Sequence, residues 1–94
     1  MLVRFMFTEE VDIVPPPKGW HWAGSAMGGN RHVSLLPIAV TAEPTAFGGV
    51  SVYPEYVSAG FTAADGIYHE LGKFDDTRAA SVALICAMGL EVQP

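Results

Sequence analysis

Cations are scarce in this chain. Five lysines and arginines stand against ten aspartates and glutamates in 94 residues, a formal net charge of −5. Arg4, Lys18, Arg31, Lys73 and Arg78 are scattered, whereas neutralising a nucleic-acid backbone needs clustered Lys and Arg. Direct nucleic-acid binding is therefore not expected, and the acidic balance steers toward basic proteins instead. Cysteine is rarer still. Cys86 alone excludes an intrachain disulfide and a cysteine-based zinc site, and it favours a reducing cytoplasm. Long apolar runs are missing too: Val82 to Leu90 falls far short of the roughly 20 residues that span a bilayer. Met1 to Phe7 is short, contains Arg4 and runs into Thr8-Glu9-Glu10, unlike a signal peptide. The expectation is a soluble cytoplasmic protein that makes no membrane contact.

What is present is enough for a core. Half of the residues are hydrophobic and 16% are charged, so residues 1–94 are expected to fold as one domain. Leu2 to Phe7 alternates like a strand, and Pro15-Pro16-Pro17 makes a stiff extended connector without backbone donors. Trp20 to Ala26 reads as a second strand closed by a Gly28-Gly29-Asn30 turn. A third strand runs from Arg31 to Thr41, Pro44 to Gly49 forms the next turn, and a fourth strand begins at Val50. Pro37 and Pro54 suggest that these last two strands are edges, or are bulged at the proline.

Residues 62–72 support two readings. Asp65-Gly66 between apolar-rich runs signals a hairpin, while Thr62-Ala-Ala-Asp65 fits a capping box with Gly72 as a helix stop. The hairpin is favoured, because Gly66 inside a helix costs about 1 kcal/mol relative to alanine. Beyond it, Asp75, Asp76 and Thr77 can cap a helix starting near Arg78, and Gly89 ends it. Ala79, Ala80, Ala83, Leu84, Ala87 and the neighbouring Cys86 form its apolar stripe, which leaves Arg78, Ser81, Ile85 and Met88 on the other side. Such a helix, apolar nearly all round, needs cover on a second side, from an N-terminal segment or from a second copy meeting Ile85 and Met88.

Chemistry-bearing constellations are few. His21, His32 and His69, with Glu70 or Asp65, lack metal-ligand spacing, and "YHELG" has no second histidine four residues on. Cys86 falls in the apolar helix, where burial suppresses a thiolate. No serine sits in a Gly-x-Ser-x-Gly setting, and "GSAMGGN" lacks the Lys-Ser/Thr of a phosphate loop. No catalytic residue, metal or cofactor is expected. Trp20 and Trp22 share one strand face and read as core, with interface anchoring as the alternative, and His21 then points the other way.

Gly19-Trp20-His21-Trp22 opening a hairpin, and Phe74-Asp75-Asp76-Thr77-Arg78-Ala79-Ala80-Ser81-Val82-Ala83 running a strand into a capped alanine-rich helix, resemble small phage and mobile-element proteins of the anti-CRISPR type. The resemblance covers about a third of the chain and transfers no functional residue. It implies a compact antiparallel sheet with one or two helices, an acidic surface and inhibition without catalysis.

The expected fold is α+β, an antiparallel sheet of four to five strands with a C-terminal helix packed on one face. The expected function is a non-enzymatic inhibitor occupying a basic surface of a host nucleic-acid-processing defence complex. Glu9, Glu10, Asp12, Asp75 and Asp76 would supply charge, with Glu55 and Glu70 behind them, and Trp20, Ile85 or Met88 the desolvated centre. The alternative is a structural or assembly protein that self-associates as a homodimer through its C-terminal helix. A small hydrolase or metal enzyme ranks third.

Overall fold

The structure, a computed structural model, describes residues 2–4, 10–27, 30–39 and 45–94. Within them the chain forms β1 (Leu2–Arg4), β2 (Glu10–Asp12), β3 (Trp20–Met27), β4 (Asn30–Pro37), β5 (Phe47–Val52), β6 (Val57–Thr62), β7 (Tyr68–Phe74) and α1 (Thr77–Ala87). The strands β3 to β7 make one antiparallel sheet in sequence order, and β1 and β2 form a separate ribbon. This is the expected α+β architecture. Among the described residues, no helix is long and apolar enough to cross a membrane.

Alternation sorts the sheet's side chains into two faces. Trp22, Val33, Leu35, Val50, Val52, Val57 and Ala59 point to one face and are buried there. Helix α1 covers this face over β5, β6 and β7, with Ala80, Leu84 and Ile85 fully enclosed. Toward β3 the cover is the N-terminal segment, whose Val11, Ile13 and Val14 join the same core. Trp22 is clamped there, its indole Nε1–H donating to the Val14 carbonyl at 2.9 Å. Trp20 is half-buried against the core, and His21 is exposed on the opposite side. Both placements match the expectation from alternation.

The helix is tied in at both ends. Asp76 is its N-cap and accepts a hydrogen bond from the Ala79 N–H at 2.7 Å. Past its C-cap Met88, Gly89 takes φ +75°, its N–H bonds to the Cys86 carbonyl, and the Leu90 N–H reaches back to Ile85. That is a Schellman stop, which needs a residue free to adopt positive φ.

The helix is rotated from its expected phase. Ser81 and Ile85 face inward and are fully buried, Met88 is partly buried, and Ala79, Val82, Cys86 and Ala87 are exposed. Burying Leu84 and Ile85 together removes far more apolar surface from water than burying alanines, so the two large side chains set the phase. Ser81 can follow them because its hydroxyl is satisfied: it donates to the Arg78 carbonyl at 2.8 Å and accepts from the Val14 N–H. Thr77 Oγ1 also donates to the Asp12 carbonyl. The second cover the helix needs is thus the N-terminal segment of the same chain. Ile85 is withdrawn as a surface residue, and with it a dimer contact through the Ile85–Met88 face.

Two further expectations change. Neither β4 nor β5 is an edge: Pro37 is the last residue of β4 and Pro54 lies beyond β5, so each proline ends a strand rather than interrupting one. Gly48 and Gly49, expected in a turn, lie inside β5. Residues 62–72 do form a hairpin, turned at Ala63 to Ile67, with the Ile67 N–H donating to Asp65 Oδ1. Gly72 is no helix stop but part of a bulge in β7, at φ +104°. The Gly28-Gly29 turn and Phe5 to Glu9 lie outside the described residues.

Candidate functional site

Among the described residues, neither the helix nor the N-terminal segment covers the opposite face of the five-stranded sheet, and strand register organises that face into rows. Phe47, Thr62 and Tyr68 are successive partners across β5, β6 and β7. The next row is Ser34, Gly49, Gly60 and Glu70, and the one after it His32, Ser51, Ser58 and Lys73. The bulge in β7 puts Glu70 and Lys73 on this same face although they are three residues apart.

Gly49 and Gly60, directly paired, leave a notch in the middle of this face. A Cβ on Gly49 would lie 2.4 Å from His32 Cε1, and one on Gly60 would lie 2.1 Å from the Tyr68 hydroxyl oxygen. The imidazole from β4 and the phenol from β7 therefore lean toward each other over bare backbone. Between and around them is an open groove of about 110 Å³, lined by Ser34, Phe47, Ser51, Ser58, Thr62 and both rings.

Each ring has a polar anchor. His32 Nδ1 and Ser51 Oγ share a hydrogen bond of 2.9 Å, and the Tyr68 hydroxyl donates to Glu70 Oε2 at 2.9 Å. Desolvation lowers the His32 pKa from its ordinary value, which favours the neutral ring. The Tyr68 pKa is raised, by desolvation first and then by the Glu70 hydrogen bond and charge, which keeps the phenol protonated as a donor. Further along, Tyr53 and Tyr56 lie 4.9 Å apart between ring centroids, and the Lys73 ammonium sits 4.4 Å from the Tyr56 centroid.

The Ser51–His32 pair invites a comparison with nucleophilic catalysis. Such chemistry also needs hydrogen-bond donors aimed at a developing oxyanion. Strands β4, β5 and β6 are interior strands with a hydrogen-bonded neighbour on each side, and the ladder between β6 and β7 shifts register at Ala59/Gly60. What lines the groove is hydroxyls, one imidazole and aromatic faces, and the Glu70 carboxylate is linked to it through the Tyr68 hydroxyl.

The residues singled out from sequence are dispersed. Asp12, Asp75 and Asp76 are exposed and gather at the N-terminal end of α1. Asp12 pairs with Arg78 at 3.2 Å, and Asp76 serves as the cap, so two of the three also have a local role. Glu10 begins β2, and Glu9 lies outside the described residues. Glu55 is exposed in the β5–β6 turn, while Glu70 belongs to the open face. Met88 packs under the helix, 3.0 Å from where a Gly48 Cβ would be.

The histidines do not converge. His69 stacks on Phe61, centroids 4.9 Å apart, while His32 lies over Gly49. No group of three metal-ligating side chains occurs among the described residues. Cys86, expected to be buried, is exposed on the outer side of α1. The groove itself was missed from sequence, although the alternation of Ser51 and Ser58 with buried valines and alanine was available as a signal. Neither a protein-family model, nor a curated protein, nor a solved structure matches this chain.

Proposed function

We propose that this protein is a non-enzymatic binding domain that engages a protein partner through the open face of its sheet. The observation that carries this reading is the face's make-up. Tyr53, Tyr56, Tyr68 and Phe47 supply large, rigid contact surface, while Ser34, Ser51, Ser58, Gly49 and Gly60 between them supply hydroxyls and close approach. Tyrosine interleaved with serine and glycine is the composition of adaptable protein-recognition surfaces, since tyrosine brings much contact area at low entropic cost. Strands hold Phe47, Tyr68, the serines and the glycines, while Tyr53 and Tyr56 close the short β5–β6 turn, so little ordering remains to be done on binding.

The net charge of −5, with Asp12, Asp75 and Asp76 grouped at one end, favours a basic partner. In its most concrete form the partner is the basic surface of a host nucleic-acid-processing complex, occupied in the manner of a phage-encoded inhibitor. That form rests on charge and on the sequence resemblance.

Affinity capture from the native host, compared between the wild type and Ser58→Trp, tests the reading. Ser58 lines the groove, and an indole there obstructs it. The expected result is a basic protein or complex retained by the wild type, released by salt and lost with Ser58→Trp. Equal retention by the two proteins, or retention of nothing, would overturn it.

A further inference from the structure

We propose that the groove between His32 and Tyr68 is an arginine pocket, into which a partner protein inserts one exposed arginine side chain. This rests on the recognition reading above and names the chemistry it turns on. Size comes first: about 110 Å³ is below the roughly 300 Å³ at which small-molecule pockets begin, and suits a single side chain. The walls come second. Phe47 and Tyr68 are about half exposed, at 47% and 59%, and present ring surface at the groove. A guanidinium stacks on such faces and is more weakly hydrated than an ammonium.

Charge decides the sign of the ligand. Glu70 is not in the groove's lining but adjoins it, paired with Gly60 in the register, and Tyr68 engages one of its oxygens, leaving further lone pairs for a cation. The cation on the same face, Lys73, is drawn over the Tyr56 ring in the adjoining row. Desolvation disfavours the charged form of His32. Around the notch, Ser34, Ser51, Ser58 and Thr62 supply hydroxyl acceptors for the five N–H groups of a guanidinium. A carboxylate or phosphate would meet Glu70 instead, and a lysine ammonium would use neither the flat walls nor the spread of acceptors.

The test is an NMR titration of the full chain, observing backbone amides, with N-acetylarginine amide and, in parallel, N-acetyllysine amide. Saturable shifts centred on Gly49, Ser51, Gly60 and Tyr68 are expected with the arginine compound, and several-fold weaker binding with the lysine compound. Glu70→Gln should weaken the arginine interaction about tenfold, the loss of one charge-assisted hydrogen bond. Gly60→Ala, whose methyl displaces the Tyr68 hydroxyl, should abolish it, and the spectra report directly that each variant is folded. Absence of saturable shifts, equal response to both compounds, or an unchanged affinity in Glu70→Gln would overturn the arginine pocket. The broader reading is judged separately by capture: a partner lost with Ser58→Trp but retained by Glu70→Gln keeps the face and overturns the arginine.

Discussion

The two faces of one sheet are built on opposite principles, and β5 shows both within two residues. Gly48 points to the covered face, where its missing side chain lets Leu84 of α1 approach to 2.7 Å from the position of a Cβ. Gly49 points to the open face, where the same economy of atoms lets the His32 ring lie on the backbone. On the covered face, a glycine serves packing density. On the open face it makes room that nothing in the described chain fills. Residues of one type, adjacent in sequence, thus serve packing on one side and leave an open groove on the other.

Substitutions can break this contrast at graded cost. The largest effect is expected from Leu84→Ala, which leaves a cavity beneath the helix and should lower stability by ~2–5 kcal/mol in chemical denaturation. Gly48→Ala should cost ~1–3 kcal/mol, because its methyl meets Leu84 and Met88 in a packed interior. Gly60→Ala on the other face should stay within ~0.5 kcal/mol of the wild type, since Tyr68 can swing into solvent. Asp76→Ala removes the helix cap and should cost ~1 kcal/mol, with the loss reported by melting temperature.

The smallest effect is a pH dependence. Because the folded-state pKa of His32 lies below its unfolded value of 6.5, the unfolded chain takes up the proton first as pH falls. Stability from this group is therefore whole above that unfolded value and declines as pH drops from there toward the folded pKa. The His32→Gln variant should show a flatter melting temperature than the wild type across that window. Parallel curves for the two proteins would contradict the placement of the ring.

The contrast also explains what was legible from sequence. Strand alternation, the Asp65-Gly66 hairpin and the Asp76 and Gly89 helix signals are local, so the fold class and the helix bounds could be read. The helix phase could not. Alanines outnumber large residues around α1, and only three-dimensional packing reveals that Leu84 and Ile85 outweigh them. Strand interiors were equally opaque at Gly48-Gly49, because paired glycines signal turns unless the register places a neighbouring ring above them. The acidic residues could be named but not grouped, since the meeting of Asp12 with Asp75 and Asp76 depends on the N-terminal segment crossing beside α1. The groove depends on four strands at once, His32 from β4, Gly49 from β5, Gly60 from β6 and Tyr68 from β7, and no local pattern records such a meeting.

The most direct measurement places the same bulky residue on adjacent positions of β6, Ser58→Trp and Ala59→Trp, and compares their thermal unfolding. Ser58 belongs to the open face, and Ala59 is 2% exposed on the covered one. If the open face is free of folding duty, Ser58→Trp melts close to the wild type, while Ala59→Trp loses at least the ~1–3 kcal/mol of overpacking or fails to fold. Comparable destabilisation by the two substitutions would contradict the division of labour between the faces.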